Sequence, residues 1–151
     1  MSDKPFILVG ADGSVESAGA VAWSYNLAEK LGADVHVVGA WNFTTWGVLT
    51  PTKTGDDYRQ MAQQALDETM ARAGDAPDSV DVHVQLFQHD PAEGLVEGSQ
   101  DALMLVVGSH VYGEHPAPHL GSVASYCAHH AACPVVIFRM TEAEHEALAS
   151  S

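Results

Sequence analysis

The sequence predicts an α/β protein: a five-stranded, mostly parallel open sheet with helices on both faces. Two observations predict it. Short, largely continuous apolar runs alternate with segments of helical periodicity in the order βαβαβαβαβ. The connections between successive runs exceed ten residues, the length that a parallel crossover needs.

Phe6 to Gly10 (FILVG) is the first buried strand, and Asp12, Gly13 and Ser14 behind it are turn and capping residues. From Ser14 to Leu31 the apolar positions Ala18, Val21, Ala22, Tyr25, Ala28 and Leu31 recur every three or four residues. That spacing makes an amphipathic helix, and Gly32 stands where its C-terminal cap belongs. Asp34 to Trp41 (DVHVVGAW) is the second strand, followed by a long polar and aromatic connection to Gly55 and a second helix from about Asp56 to Ala73. Ser79 to Gln88 alternates apolar and polar residues, so this strand has one less buried face and belongs near a sheet edge. Asp90-Pro91 opens a short helix through Gly98, because proline in a first turn forfeits no needed hydrogen bond. Leu103 to Val107 is strand four, Ser122 to Ala131 helix four, and Pro134 to Phe138 strand five. The acidic tail TEAEHEALASS, residues 141–151, has weak helical character and reads as a frayed, solvated end beyond a single domain over residues 1–140.

With 151 residues and 46% hydrophobic content the chain supports one compact core. Twenty acidic against 6 basic side chains give a formal net charge of −14, which excludes duplex nucleic acid and anionic membranes as partners. The apolar run in MSDKPFILVGADG is too short for a signal segment and no small-residue cleavage pattern follows it. A cytoplasmic location is the resulting expectation. Cys127 and Cys133 fit neither a redox pair nor a zinc knuckle, and read as small buried apolar residues.

In an open parallel sheet, ligands settle beyond the carboxyl ends of the strands, where strand order reverses. Two loops are candidates: ADGS after strand one, and GSHVYGEHPAPHLGS, Gly108 to Ser122, after strand four. The second is a glycine-bearing loop that leaves a buried strand and enters a helix N-terminus. Backbone N–H groups and the helix dipole attract an anion at such a place. Crossovers diverging from strand one set strand four beside it, bringing Asp12 and Gly108 to one nucleotide-sized crevice.

From Phe6 to Arg139 the chain resembles the universal stress protein family. The resemblance rests on Asp12-Gly13-Ser14, matching an Asp-x-Ser turn, on Gly108 and Gly121-Ser122, matching Gly-x-x-Gly followed after nine residues by Gly-Ser, and on Cys133-Pro134-Val135-Val136. It implies an adenine nucleotide alpha hydrolase-like fold, a Rossmann-like three-layer sandwich. It also implies that Asp12 and Ala40 meet adenine while Gly108, Gly121, Ser122 and Val123 meet ribose and a triphosphate, as ATP with or without Mg²⁺. The second glycine of the motif is here Val111, where a β-branched residue held at positive φ costs on the order of 1–2 kcal/mol. Gly113 nearby restores some backbone freedom. No Lys or Arg lies between Arg72 and Arg139, and Glu114 sits inside the loop. His89 stands where many relatives have glycine.

The family commonly dimerises through its last strand, here Val135, Val136, Ile137 and Phe138, which is apolar on both faces and is read as a sheet edge. The expected protein is therefore a homodimeric, non-catalytic nucleotide binder, at most a weak ATPase. Three alternatives stay open. One is a nucleotide-free member that works through protein contacts, using the aromatic surface of Trp41, Phe43 and Trp46 after strand two; that surface can also wall an adenine or pack on helix two. Another is a metal-binding module made of His110, His115 and His119 with Glu114, although Pro116 and Pro118 stiffen that segment. The last is a weak ATPase; nothing in the sequence demands a hydrolytic Asp12/His110 pair. His129 and His130 close helix four as cationic caps, and Ser14 and Ser122 belong to helix starts rather than to a nucleophile elbow.

Overall fold

A computed structural model describes residues 4–41, 55–109 and 121–150. The strands are β1 (Phe6–Gly10), β2 (Asp34–Trp41), β3 (Val82–Gln88), β4 (Met104–Gly108) and β5 (Val135–Phe138). The helices are α1 (Val15–Leu31), α2 (Gly55–Ala73), α3 (Pro91–Gly98), α4 (Ser122–His130) and α5 (Glu142–Ala149), with a 3-10 turn at Ser99–Asp101. All described strand pairs are parallel in the order β3-β2-β1-β4-β5. β1 therefore lies between β2 and β4, and the chain reverses its direction of travel across the sheet there, as expected.

Alternate residues of each strand face opposite layers. Ile7, Val9, Val35, Val37 and Val106 pack with Val21, Tyr25 and Ala28 of α1 and Leu66 of α2. Leu8, Leu105 and Val107 pack with Leu95 of α3 and with Ala124 and Cys127 of α4. Each such fully buried aliphatic side chain contributes about 1.5–3 kcal/mol over an exposed one. β5 serves both layers: Val136 and Phe138 join the first, Val135 and Ile137 the second.

Helix ends follow local chemistry. Ser14 caps α1 by accepting from Ser17 N–H, and Gly32 ends it in the left-handed region at φ 66°. Asp90 caps α3 by accepting from Glu93 N–H, with Pro91 in the first turn. His129 and His130 do fall in the last turn of α4.

Three details differ from the sequence reading. β3 begins at Val82, three residues late, because Val80 is drawn into the core and its N–H donates to Pro77 O at 3.0 Å. Cys127 is buried but Cys133 is only half-buried. The tail is helical rather than frayed: Thr141 caps α5 by accepting from Glu144 N–H at 3.1 Å, and His145 Nε2 lies 3.6 Å from Oε1 of Glu16 on α1. Among the described residues, no helix is long and apolar enough to cross a membrane.

Candidate functional site

The turn after β1 is held from two sides. Asp12 Oδ1 accepts from Ser14 N–H at 2.9 Å, which folds the carboxylate back over its own turn. Gly13 adopts φ 86°, and a Cβ there would stand 2.9 Å from Ala65 Cβ of α2. Only glycine meets both demands. Gly13 N–H donates to Thr69 Oγ1 at 3.1 Å, and the buried Thr69 hydroxyl donates to Ala65 O at 3.0 Å. Helix α2 thus sets the position of the Asp12 turn. Thr69 escaped the sequence reading because it lies 56 residues away from Gly13 and no local pattern marks it.

Beyond the carboxyl ends of β1, β2 and β4 opens a crevice of about 120 Å³. Asp12, Ala40, Gly108 and Val123 line it, whereas Gly121 and Ser122 are not among its lining residues. Val38, Phe87 and Leu95 add an apolar wall that the sequence reading missed. Phe87 gets there by register: it pairs with Ala40 across β2 and β3, so the ring stands beside the smallest side chain of that row. Gly94 permits this, since a Cβ there would come within 2.4 Å of the Phe87 ring.

Gly10 and Gly108 bring main chain to the lining. Gly108 abuts the first turn of α1, where a Cβ would lie 2.9 Å from Glu16 Cβ. Gly121 precedes α4 at φ 79°, the left-handed region that favours glycine. Ser122 is the first residue of that helix and Val123 the second. Val111 and the loop residues His110, Gly113, Glu114, His115, His119, Pro116 and Pro118 lie outside the described residues, as do Phe43, Trp46 and the side chain of Trp41.

His89, at the turn into α3, sets its ring edge-on to Phe87 and its Nε2 3.3 Å from Glu97. It buttresses the phenyl wall from behind. Burial pushes the Cys127 thiol up to about 11, with a smaller push from Cys133, and burial also raises Cys133. Neither thiol supplies a thiolate nucleophile near neutral pH.

A doubly wound α/β sheet with a largely apolar crevice at its switch point belongs to the Rossmann-like class of folds. Within that class the profile of the Universal stress protein family matches residues 6–139. The chain belongs to the universal stress protein family. A universal stress protein of Mycobacterium tuberculosis is 33% identical over 135 residues, which cover 89% of this chain and 45% of the relative. One of Mycolicibacterium smegmatis is 31% identical over 134 residues, covering 88% of this chain and 45% of the relative. The chain thus spans less than half the length of these curated relatives. The solved UspA of Lactobacillus plantarum superposes with a TM-score of 0.70 at 18% identity, covering 92% of this chain and all of that one. A universal stress protein in complex with cAMP gives a TM-score of 0.64 at 23% identity, covering 93% of this chain and all of that one. The Archaeoglobus fulgidus protein in complex with dAMP gives 0.60 at 17%, covering 91% and 99%. These likenesses show the fold.

Proposed function

We propose that the chain binds an adenine nucleotide in the crevice between β1 and β4 and acts by that binding, as a dimeric stress-response module without robust catalysis. One observation carries the reading: Asp12, Ala40, Gly108 and Val123, from four separate segments, converge on one crevice. The slot between Ala40, Val38, Phe87 and Leu95 suits a flat purine, since apolar pockets with a few placed polar groups are the usual form of such sites. Asp12 is exposed at the mouth of the slot and suits a polar edge of the base or ribose. Gly108 and the α4 N-terminus suit phosphate oxygens, which need donors more than full positive charges. Structural relatives carrying cAMP and dAMP support the adenine class.

ATP, with Mg²⁺ offsetting Glu114, is the form we propose first. Mass spectrometry of freshly purified protein, then calorimetric titration with ATP, AMP and cAMP with and without Mg²⁺, tests the reading. Co-purified adenine nucleotide or a saturable heat supports it. No ligand and no heat at millimolar nucleotide would favour a member acting through protein contacts, a reading that the lack of Lys and Arg from 73 to 138 also favours. Val111→Gly should tighten ATP about tenfold if that position needs positive φ.

The dimer proposal rests on β5, which ends the sheet order and whose side chains are only half-buried. Phe138 is partly spoken for, because it packs against Gly19 and Trp23 of α1. The backbone edge is then the pairing surface. Light scattering that shows only monomer at micromolar concentration would remove this proposal. The reading includes a cytoplasmic location, which cell fractionation tests.

A further inference from the structure

At the opposite end of the sheet, Asp34, His36 and His83 bring one oxygen and two imidazole nitrogens within 4.8 Å of one another. We infer that this cluster is a binding site for a divalent first-row transition cation, zinc being the simplest probe. Register creates it. Asp34 and His36 are two apart on β2, so they share a face, and His83 pairs directly with His36 across β2 and β3. Two imidazoles and one carboxylate on one face form a three-ligand set that leaves further positions for water, as zinc and its neighbours in the series accept.

Two of the three ligands are held in place before any metal arrives. Asp34 has a side chain only 3% exposed, and its Oδ1 makes no hydrogen bond among the described residues. A buried carboxylate oxygen in that state calls for a cationic neighbour. The neighbour at hand is Lys4, whose Nζ stands 3.2 Å from Oδ1 without hydrogen-bond alignment and whose side chain is 39% exposed. The His36 ring is stacked on Phe6, with centroids 4.0 Å apart and planes 9° from parallel.

The third ligand closes the site. His83 Nε2 lies 3.9 Å from Asp34 Oδ2, and its side chain is 57% exposed on edge strand β3. Zinc bonds of about 2.0–2.2 Å imply tetrahedral ligand separations of about 3.4 Å, so the cluster must contract by roughly an ångström. Rotation of the exposed His83 provides that movement. Lys4 swings into solvent as the metal takes over its carboxylate. A groove of about 230 Å³, lined by Phe6, Leu8, His36, His83 and Gln85, opens beside the ligands and admits the remaining water.

The test uses untagged protein stripped with a chelator, titrated with Zn²⁺ in competition with a chromophoric chelator, and with Co²⁺ read by its visible absorption. One equivalent is expected, with nitrogen and oxygen ligation in the Co²⁺ spectrum. His83→Asn, a surface change that spares the core, should weaken binding by at least about 100-fold, more than loss of an outer-shell partner does. Lys4→Met should tighten it severalfold by removing the competing cation. The triple variant His110→Asn, His115→Asn, His119→Asn and the crevice variant Ala40→Phe should leave it unchanged. Absence of binding at 100 equivalents, retention of affinity in His83→Asn, or loss of binding in the triple loop variant would each overturn the assignment.

Discussion

The two ends of the sheet solve recognition in different ways. The carboxyl end presents two glycines, two alanines and a phenyl wall, with Asp12 as the charged side chain among the lining residues. The amino end, at Asp34, His36 and His83, presents ligating side chains on regular strand backbone. At the first, chemistry comes from the path of the main chain, so small residues matter. At the second it comes from side chains held at fixed register. The difference teaches that a substitution's effect depends on whether the site is made of backbone or of side chains.

The largest expected effect separates the two ends. Ala40→Phe fills the slot beside Phe87 and should lower adenine-nucleotide affinity by about 100-fold or more, the loss of about 2.7 kcal/mol. Calorimetry reads that loss, and unchanged zinc affinity in the same protein shows independence. Coupled losses would mean that the two ends communicate.

Gly94→Ala is the change expected to touch both ends, because Phe87 lines both the crevice and the groove. The new methyl would meet the ring at 2.4 Å. Overpacking of this kind costs about 1–3 kcal/mol, which lowers Tm by roughly 2–12 °C in a chain of this size. Thermal melts should show the drop together with weaker nucleotide binding; a wild-type melt would mean that the ring moves at no cost.

Thr69→Val removes the acceptor of Gly13 N–H while keeping the side-chain shape. Because the turn is half-exposed and water can reach it, the cost is about 1 kcal/mol. Nucleotide affinity should fall severalfold and zinc affinity should not change. An unaltered nucleotide affinity would detach α2 from the crevice.

The smallest effect lies in neither site. The Cys127 thiol ionises at about 11 in the native protein against 9.0 for an ordinary thiol. Between those values the unfolded chain has lost a proton that the native chain keeps. Its contribution to stability is therefore complete below pH 9 and declines as pH rises toward 11. Urea melts across that window should fall more steeply for the wild type than for Cys127→Ala; parallel slopes would contradict it.

The carboxyl-end site was partly legible because its residues are punctuation. Asp12, Gly13 and Gly108 mark turns, and Gly121 marks a helix start, so composition alone places them at strand and helix ends. Phe87 and Thr69 were not legible, since each acts through a partner fixed by strand register or by helix packing. The same holds for the amino-end cluster: His36 and His83 look like ordinary strand residues until β2 and β3 are aligned. Sheet order was legible from crossover logic. The tail was a missed signal rather than an absent one. Thr141 and Glu144 have the spacing of a capping box, and the acidic composition drew the reading toward solvent instead.

The central claim, that an adenine nucleotide occupies the crevice between β1 and β4, is tested most directly by amide chemical shifts during an ATP titration of isotopically labelled protein. The account predicts saturable shifts at Asp12, Ala40, Gly108 and Gly121 to Val123, with His36 and His83 unmoved. Shifts confined to other surfaces, or no shift at millimolar ATP, would contradict it.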